Sequence, residues 1–206
     1  MTRPPLRAAA IVLAAGQGRR LGRGPKAFVR LDDQTLLERA VARARRCGAS
    51  SVIVILPPGP DPMPLPDDLV VLRNERGETG PLGSACLGVR ALPEGVDAAL
   101  LYPVDHHAVL DTDVVAVLAA VAQAPPGAAR VVPRHGGRGG HPVLLLPPAL
   151  TALASVADPA ASTLRDVLAQ AGPIHHVDGV SSGVRQNLNT PSDLPQDARS
   201  LATEAQ

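Results

Sequence analysis

Ala8-Ala9-Ala10-Ile11-Val12-Leu13-Ala14-Ala15 runs without a polar residue into Gly16-Gln17-Gly18-Arg19-Arg20-Leu21-Gly22-Arg23-Gly24-Pro25-Lys26, and this junction decides the fold. An eight-residue apolar run bounded by glycine reads as a strand buried on both faces. Arg3 and Arg7 precede it, so a secretory leader is an alternative reading. The run is at the lower limit for such a leader, and a glycine-rich loop follows at once, which favours the strand. Four glycines in the loop free the backbone for positive φ and let its N–H groups approach a ligand, while Arg19, Arg20, Arg23 and Lys26 add cations. Glycines and cations at the carboxyl end of a strand suit a polyphosphate; the plainer alternative is a solvated basic turn.

Downstream, apolar runs alternate with helical patterns. Thr35–Cys47 places Leu36, Leu37, Ala40, Val41, Ala44 and Cys47 at helical spacing and stops at Gly48. Ser51–Leu56 and Leu69–Leu72 read as strands, with a proline-rich loop over Pro57–Pro66 between them. Pro81–Leu92 reads as a helix, Ala98–Val104 as a strand ending at Asp105, and Asp111–Ala124 as a helix with Asp111 and Asp113 at its positive end. This alternation predicts βαβ units and a parallel sheet covered on both faces. Beyond Pro126 the pattern changes. Arg130–Pro133 and Pro142–Leu146 flank a glycine-rich turn, which predicts a hairpin or excursion from the sheet. Short helices (Leu150–Val156, Ser162–Ala169), strands at Ile174–Val177 and near Val184–Asn187, and a helix after Pro191 complete the reading. The fold class is therefore α/β: a single Rossmann-like three-layer α/β/α domain over residues 1–206, its sheet mostly parallel, with a small β-ribbon excursion.

Composition narrows the function classes. Hydrophobic residues make up 45% and charged residues 19% of the 206, enough for a core, and the net charge of +1 contains no basic or acidic block. No nucleic-acid partner and no membrane partner is expected. No stretch approaches the ~18 apolar residues of a membrane helix, and a cytoplasmic protein is expected. Cys47 and Cys86 lie far apart, which argues against a disulfide framework or a cysteine zinc site. Of the 20 basic residues, Lys26 is the one lysine; all others are arginine. A bias towards arginine explains the rest, and leaves Lys26 where a compact point charge is needed instead of a planar fork.

Ligands in open parallel sheets bind outside the carboxyl ends of the strands. That rule selects the loops Gly16–Lys26, Arg73–Gly80 and Asp105–His107. The first has GxGxxxG spacing and Gly24-Pro25 interrupts any helix, unlike a dinucleotide fingerprint; Lys26 follows proline and precedes Ala27, unlike a P-loop. Leu13-Ala14-Ala15-Gly16-x-Gly18-x-Arg20-x-Gly22-x-x-x-Lys26 instead resembles the signature of the MobA-like NTP transferase superfamily. Asn74–Gly77, Gly80 and Gly83–Ala85 resemble that family's segment near base and ribose. Pro103–His107 resembles its metal-binding segment. Gly139-Gly140-His141-Pro142 resembles an element of the molybdopterin cytidylyltransferases, the branch the chain looks most like. Asn187–Leu194 resembles the family's terminal motif.

The resemblance implies transfer of a nucleoside monophosphate from an NTP to a phosphorylated acceptor such as molybdopterin, with release of pyrophosphate. It implies that Leu13, Ala14, Ala15, Gly16, Gly18, Arg20, Lys26, Asn74, Gly80 and Ser84 bind the NTP, with Lys26 and Arg20 catalytic. Mg²⁺ is the implied cofactor, held by Asp105 with Asn187 or Asn189, since hard cations take carboxylate and carbonyl oxygens. Capping of the following turn is the simpler role for Asp105. His106, Gly140 and His141 fall to the acceptor, making residues 8–126 the NTP-binding half and 127–206 the acceptor and C-terminal half. His106 and His107 are poor joint metal ligands, being adjacent on one loop, and one of His175 and His176 is expected at the surface. Asn187 and Asn189 match the guanylyltransferase branch, whereas Ala15 and Gly139–Pro142 match the cytidylyl branch. A methyl at Ala15 narrows the pocket against a purine, so CTP is the expected donor and GTP the alternative. A transferase for another small phosphate ester and a non-catalytic nucleotide-binding regulator remain open, and the resemblance admits a transient protein partner for cofactor delivery.

Overall fold

A computed structural model describes residues 6–18, 20–22 and 24–194. In chain order its strands are β1 (Ala8–Leu13), β2 (Arg30–Leu31), β3 (Gln34–Thr35), β4 (Val52–Leu56), β5 (Val70–Arg73), β6 (Ala98–Pro103), β7 (Arg130–His135), β8 (Arg138–Gly139), β9 (Val143–Leu145) and β10 (Ile174–Val177). The helices are α1 (Leu36–Arg46), α2 (Gly80–Arg90), α3 (Asp111–Ala119), α4 (Pro147–Ala154) and α5 (Leu164–Ala171). Among the described residues the main sheet runs β10-β7-β9-β6-β1-β4-β5, with β8 beside β7.

The apolar runs alternate between the two faces of this sheet. Ala8, Ala10 and Val12 of β1, Val54 and Leu56 of β4, and Leu100 and Tyr102 of β6 face α1 and α3 in one core. Ile11, Ile53, Ile55 and Leu101 face α2, α4 and α5 in the other. A strand buried on both faces needs no polar residue, which is why β1 and β4 lack one. Three layers follow.

β1 pairs in parallel with β4 on one side and β6 on the other. The chain leaves β1 through α1 towards β4 and β5, then returns through α2 to β6. The direction of winding reverses between β1 and β6, so the crevice of this fold opens above their carboxyl ends.

Two expectations need correction. The ribbon is only partly an excursion. β9 is inserted between β6 and β7, antiparallel to both, and only the turn with β8 leaves the sheet. So short a connection from β7 permits no parallel return. The strand expected near Val184–Asn187 is a 3₁₀ turn at Ser182–Arg185, because the Ser181 hydroxyl accepts from the Gly183 N–H at 3.1 Å and starts a turn. A small hairpin, β2–β3, went unread; Asp32 at its tip has φ +56°, a conformation aspartate tolerates. The Asp111–Ala124 helix also tightens to 3₁₀ from Ala120 to Gln123. A 3₁₀ turn spans Pro191–Asp193, and the helix expected after Pro191 otherwise falls outside the described residues, as do Arg19 and Arg23. His176 is exposed on β10, as expected of one of that pair.

Candidate functional site at the switch point

The loop after β1 is anchored at both ends. Lys26 N–H donates to the Gly16 carbonyl at 2.9 Å, closing the neck. Leu21 and Ala27 are buried and fasten the loop to the core beneath. Gly18 has φ +61°, and a Cβ there would stand 2.1 Å from the Gly24 carbonyl oxygen, so no other residue fits the closed loop. Gly16, Arg20, Gly22 and Gly24 face solvent. Leu13 is half-buried, Ala14 buried and Ala15 half-buried at the mouth of β1.

From the neck, Lys26 reaches across the switch point. Its Nζ donates to Asp105 Oδ2 and to Asn189 Oδ1, each at 2.6 Å. Asp105 follows β6, while Asn189 lies on the segment beyond the 182–185 turn. That segment is bound in place, Leu188 N–H donating to the Asp105 carbonyl at 3.0 Å. Asp193 accepts from the N–H groups of Asn189 and Thr190 at 2.9 and 2.8 Å, and these donors hold its carboxyl below the ordinary range. The Lys26 and Asp105 side chains are only 13% and 17% exposed, so their pairing is well shielded from water. Asn187 is exposed and stands outside this convergence.

The Asp105 carboxylate and the Asn189 carbonyl converge on a single cation. That pair of hard oxygens suits Mg²⁺, which takes one or two protein oxygens and completes its shell with water and phosphate. Among the described residues no group of three or more His, Cys, Asp or Glu could hold a metal by itself. Two oxygens would fill only part of a metal's shell, leaving the remainder for water or a ligand.

Asn74, Gly80 and Ser84 form the next wall. Asn74 Nδ2 donates to Thr79 Oγ1 at 3.2 Å and to Ser84 Oγ at 3.1 Å, and Asn74 Oδ1 accepts from Arg76 N–H at 3.2 Å. Asn74, Thr79 and Ser84 are all buried, so these side chains brace the turn into α2. Gly80 is the partly exposed member.

Beyond Asp105 lie the histidines. The His106 and His141 rings are 4.6 Å apart between centroids and tilted by 47°. Burial pushes the His141 imidazole down to about 4; the neighbouring His106 lowers it further and Asp105 opposes. Burial also lowers His106 and His107. All three are therefore neutral at pH 7. Gly140 sits against the 182–185 turn, where a Cβ would stand 2.4 Å from the Val184 carbonyl oxygen. His141 N–H donates to that same carbonyl at 2.8 Å.

Two supports escaped sequence reading. Buried Asp113 accepts from Ser181 N–H and Oγ, both at 2.7 Å, and from Leu110 N–H at 2.9 Å, tying α3 to the turn that holds Gly140 and His141. Its place beside Asp111 suggested only a helix-end charge. Arg43 donates to Tyr102 Oη at 3.1 Å and to Asp111 at 2.9 Å, and Tyr102 Oη donates to the His106 carbonyl at 3.4 Å. No local pattern marks that chain of contacts.

Fold and site together define a Rossmann-like α/β domain with a glycine-rich cationic loop over its switch point. The chain belongs to the MobA-like NTP transferase domain family, whose model matches residues 10–177. It is 52% identical over 52 residues to the 2-C-methyl-D-erythritol 4-phosphate cytidylyltransferase of Thermus thermophilus, a match covering 25% of this chain and 24% of that protein. The crystal structure of that name from the same organism shares the fold, with TM-score 0.68 and 23% identity over 96% of this chain and 100% of the other. Rv0371c from Mycobacterium tuberculosis H37Rv aligns with TM-score 0.69 and 21% identity over 98% and 100%. A manganese complex of Rv0371c aligns with TM-score 0.65 and 21% identity over 92% and 96%. At these whole-chain identities the likeness is one of fold. No helix among the described residues is long and apolar enough to cross a membrane.

Proposed function

We propose that this protein is a nucleotidyltransferase that uses CTP and Mg²⁺ to cytidylylate a small phosphorylated acceptor, with molybdopterin the leading candidate, in the cytoplasm. The observation that carries the reading is the meeting of Lys26, Asp105 and Asn189 under the glycine-rich loop, at the place where the winding reverses. A phosphate oxygen of the acceptor attacks the α-phosphorus of CTP, and pyrophosphate leaves from the same phosphorus. Both reactants are anionic, so the protein's task is to position them and to offset charge. Backbone N–H groups of the loop at Gly16 and Gly18 would receive the triphosphate, and Lys26 and Arg20 would neutralise it. Asp105 and Asn189 would hold Mg²⁺, which supplies Lewis-acid stabilisation of the phosphate charge. Asn74 and Ser84 act from beneath, by holding the turn at Gly80 where base and ribose lie.

The acceptor side is neutral. His106 and His141 offer an uncharged, prearranged surface beside Asp105, suited to hydrogen bonding with a heterocycle or polyol next to the acceptor's phosphate. The cytidylyltransferase name of the partly matching relative supports CTP, and the manganese-bound neighbour supports a divalent cation. That relative's name also favours a second acceptor, a phosphorylated polyol. A guanylyl reading rests on Asn187 and Asn189.

Pyrophosphate release decides among these. The protein is incubated with each NTP, Mg²⁺ and either molybdopterin or 2-C-methyl-D-erythritol 4-phosphate. Release with CTP and molybdopterin is the expected result. Release only with the polyol phosphate reassigns the acceptor, and preference for GTP moves the protein to the guanylyl branch. NTP binding without release in any combination, over a broad acceptor panel, makes it a regulator.

A further inference from the structure

We propose that, without nucleotide, the Lys26 ammonium occupies the seat of the divalent cation, so that metal enters with the triphosphate and not before it. The inference rests on the reading of Asp105 and Asn189 as the metal's protein ligands. Both oxygens point at one nitrogen, each at 2.6 Å, and they come from segments 84 positions apart in sequence. A carboxylate that is 17% exposed is costly to leave unpaired, so some cation must stand there. Lys26 supplies it from within the chain.

The geometry also lets the ammonium leave. The Lys26 backbone is fixed, its N–H on the Gly16 carbonyl and its own carbonyl accepting from Val29 N–H at 3.2 Å. Motion is confined to the four-carbon stem. Gly16 flanks that stem, at a place where a Cβ would stand 3.8 Å from Lys26 Cδ, so the stem runs beside the loop that receives the triphosphate. A swing of the stem carries Nζ from the two oxygens to the phosphates without disturbing the fold.

Charge decides the order. Asp105 balances one ammonium. A divalent ion entering alone would meet an ammonium it must displace, and only one carboxylate to share. Asp193, the next acid on the terminal segment, already accepts from Asn189, Thr190 N–H and the Thr190 hydroxyl. Among the described residues no group of three or more His, Cys, Asp or Glu could hold a metal by itself. The triphosphate removes the conflict by bringing anionic oxygens for both cations. The role also accounts for a lysine in a chain that otherwise uses arginine: a compact point charge fits between two oxygens where a planar guanidinium does not.

Because Lys26 is the chain's only lysine, [ε-¹⁵N]lysine labelling gives one side-chain ammonium resonance in the wild-type protein. Mg²⁺ alone should leave that resonance in place, and Mg²⁺ with CTP should move it. A shift with Mg²⁺ alone overturns the proposal, and this arm needs no variant to fold. The second arm follows Mn²⁺ by electron paramagnetic resonance without nucleotide. Lys26→Met should bind Mn²⁺ at least about tenfold more tightly than wild type, and adding Asp105→Asn should abolish the gain. If Lys26→Met gains nothing while Asp105→Asn still weakens Mn²⁺ binding in the presence of CTP, the exchange is wrong and the metal assignment stands. If Asp105→Asn leaves Mn²⁺ binding with CTP unchanged, both fall.

Discussion

The two rims of the crevice are built in opposite ways. On the β1 side, Gly16, Gln17, Arg20, Gly22 and Gly24 are exposed among the described loop residues. On the β6–β9 side, His106 and Gly140 are buried, His141 N–H donates to the Val184 carbonyl, and the histidines are neutral. On the proposed function, the first rim would receive the anionic triphosphate. The second is shaped before any ligand arrives, at the cost of burying imidazoles in their neutral form. The difference teaches that exposed cationic groups and buried neutral groups are separated across Asp105, so substitutions on the two sides should fail differently.

The largest effect is expected at the charged rim. Lys26→Ala should lower kcat by about 10²–10³ with the fold intact, the usual loss for one preorganised charge donor. Lys26→Arg should be impaired too, and full activity in that variant would remove the case for a point charge. The neutral rim should speak through pH. His141 titrates near 4 in the folded protein against an ordinary 6.5, so between those values the unfolded chain binds more protons. Stability is therefore present above pH 6.5 and lost as pH falls towards 4. His141 should contribute about 2 kcal/mol of that loss between pH 7 and pH 5, and His106 and His107 add to it in the same direction. Denaturant midpoints measured across that range check this, and a flat profile would mean the histidines are solvated.

Asp113→Asn sharpens the contrast further. It turns an acceptor of three hydrogen bonds into a mixed donor and acceptor, and should cost about 1–3 kcal/mol of stability, read from denaturant unfolding. CTP affinity should be unchanged, because the tie supports only the histidine side. A parallel loss of CTP binding would show that the rims are coupled. The smallest effect concerns the base. Ala15→Gly should narrow the preference for CTP over GTP by about tenfold, the scale of one methyl group in a pocket, in competitive binding at fixed Mg²⁺.

How much of this was legible depended on the range of the interactions involved. Helix α1 was legible because Leu36, Leu37, Ala40, Val41 and Ala44 repeat at helical spacing and are in fact its buried face. The turn at Ser182–Arg185 was misread because buried Val184 looks like a strand residue, although its burial comes from tertiary contact and its backbone follows the Ser181 cap. Asn74 and Ser84 were marked by resemblance to a family segment, yet their bonds to each other depend on how the turn into α2 closes.

Periodicity, glycine placement and the single lysine belong to the chain itself, because they express local backbone preferences and the need to bury apolar faces. They determined the chain order of most strands and helices, the three layers and the glycine-rich loop, and they singled out Lys26. Strand order, the insertion of β9, the pairing of His106 with His141 and the meeting of Lys26 with Asp105 and Asn189, across 79 and 163 positions, were decided only in the folded state. The reason is physical: a shielded ammonium selects its oxygens from whatever the packed sheet brings within reach, and no local preference along the chain encodes that choice.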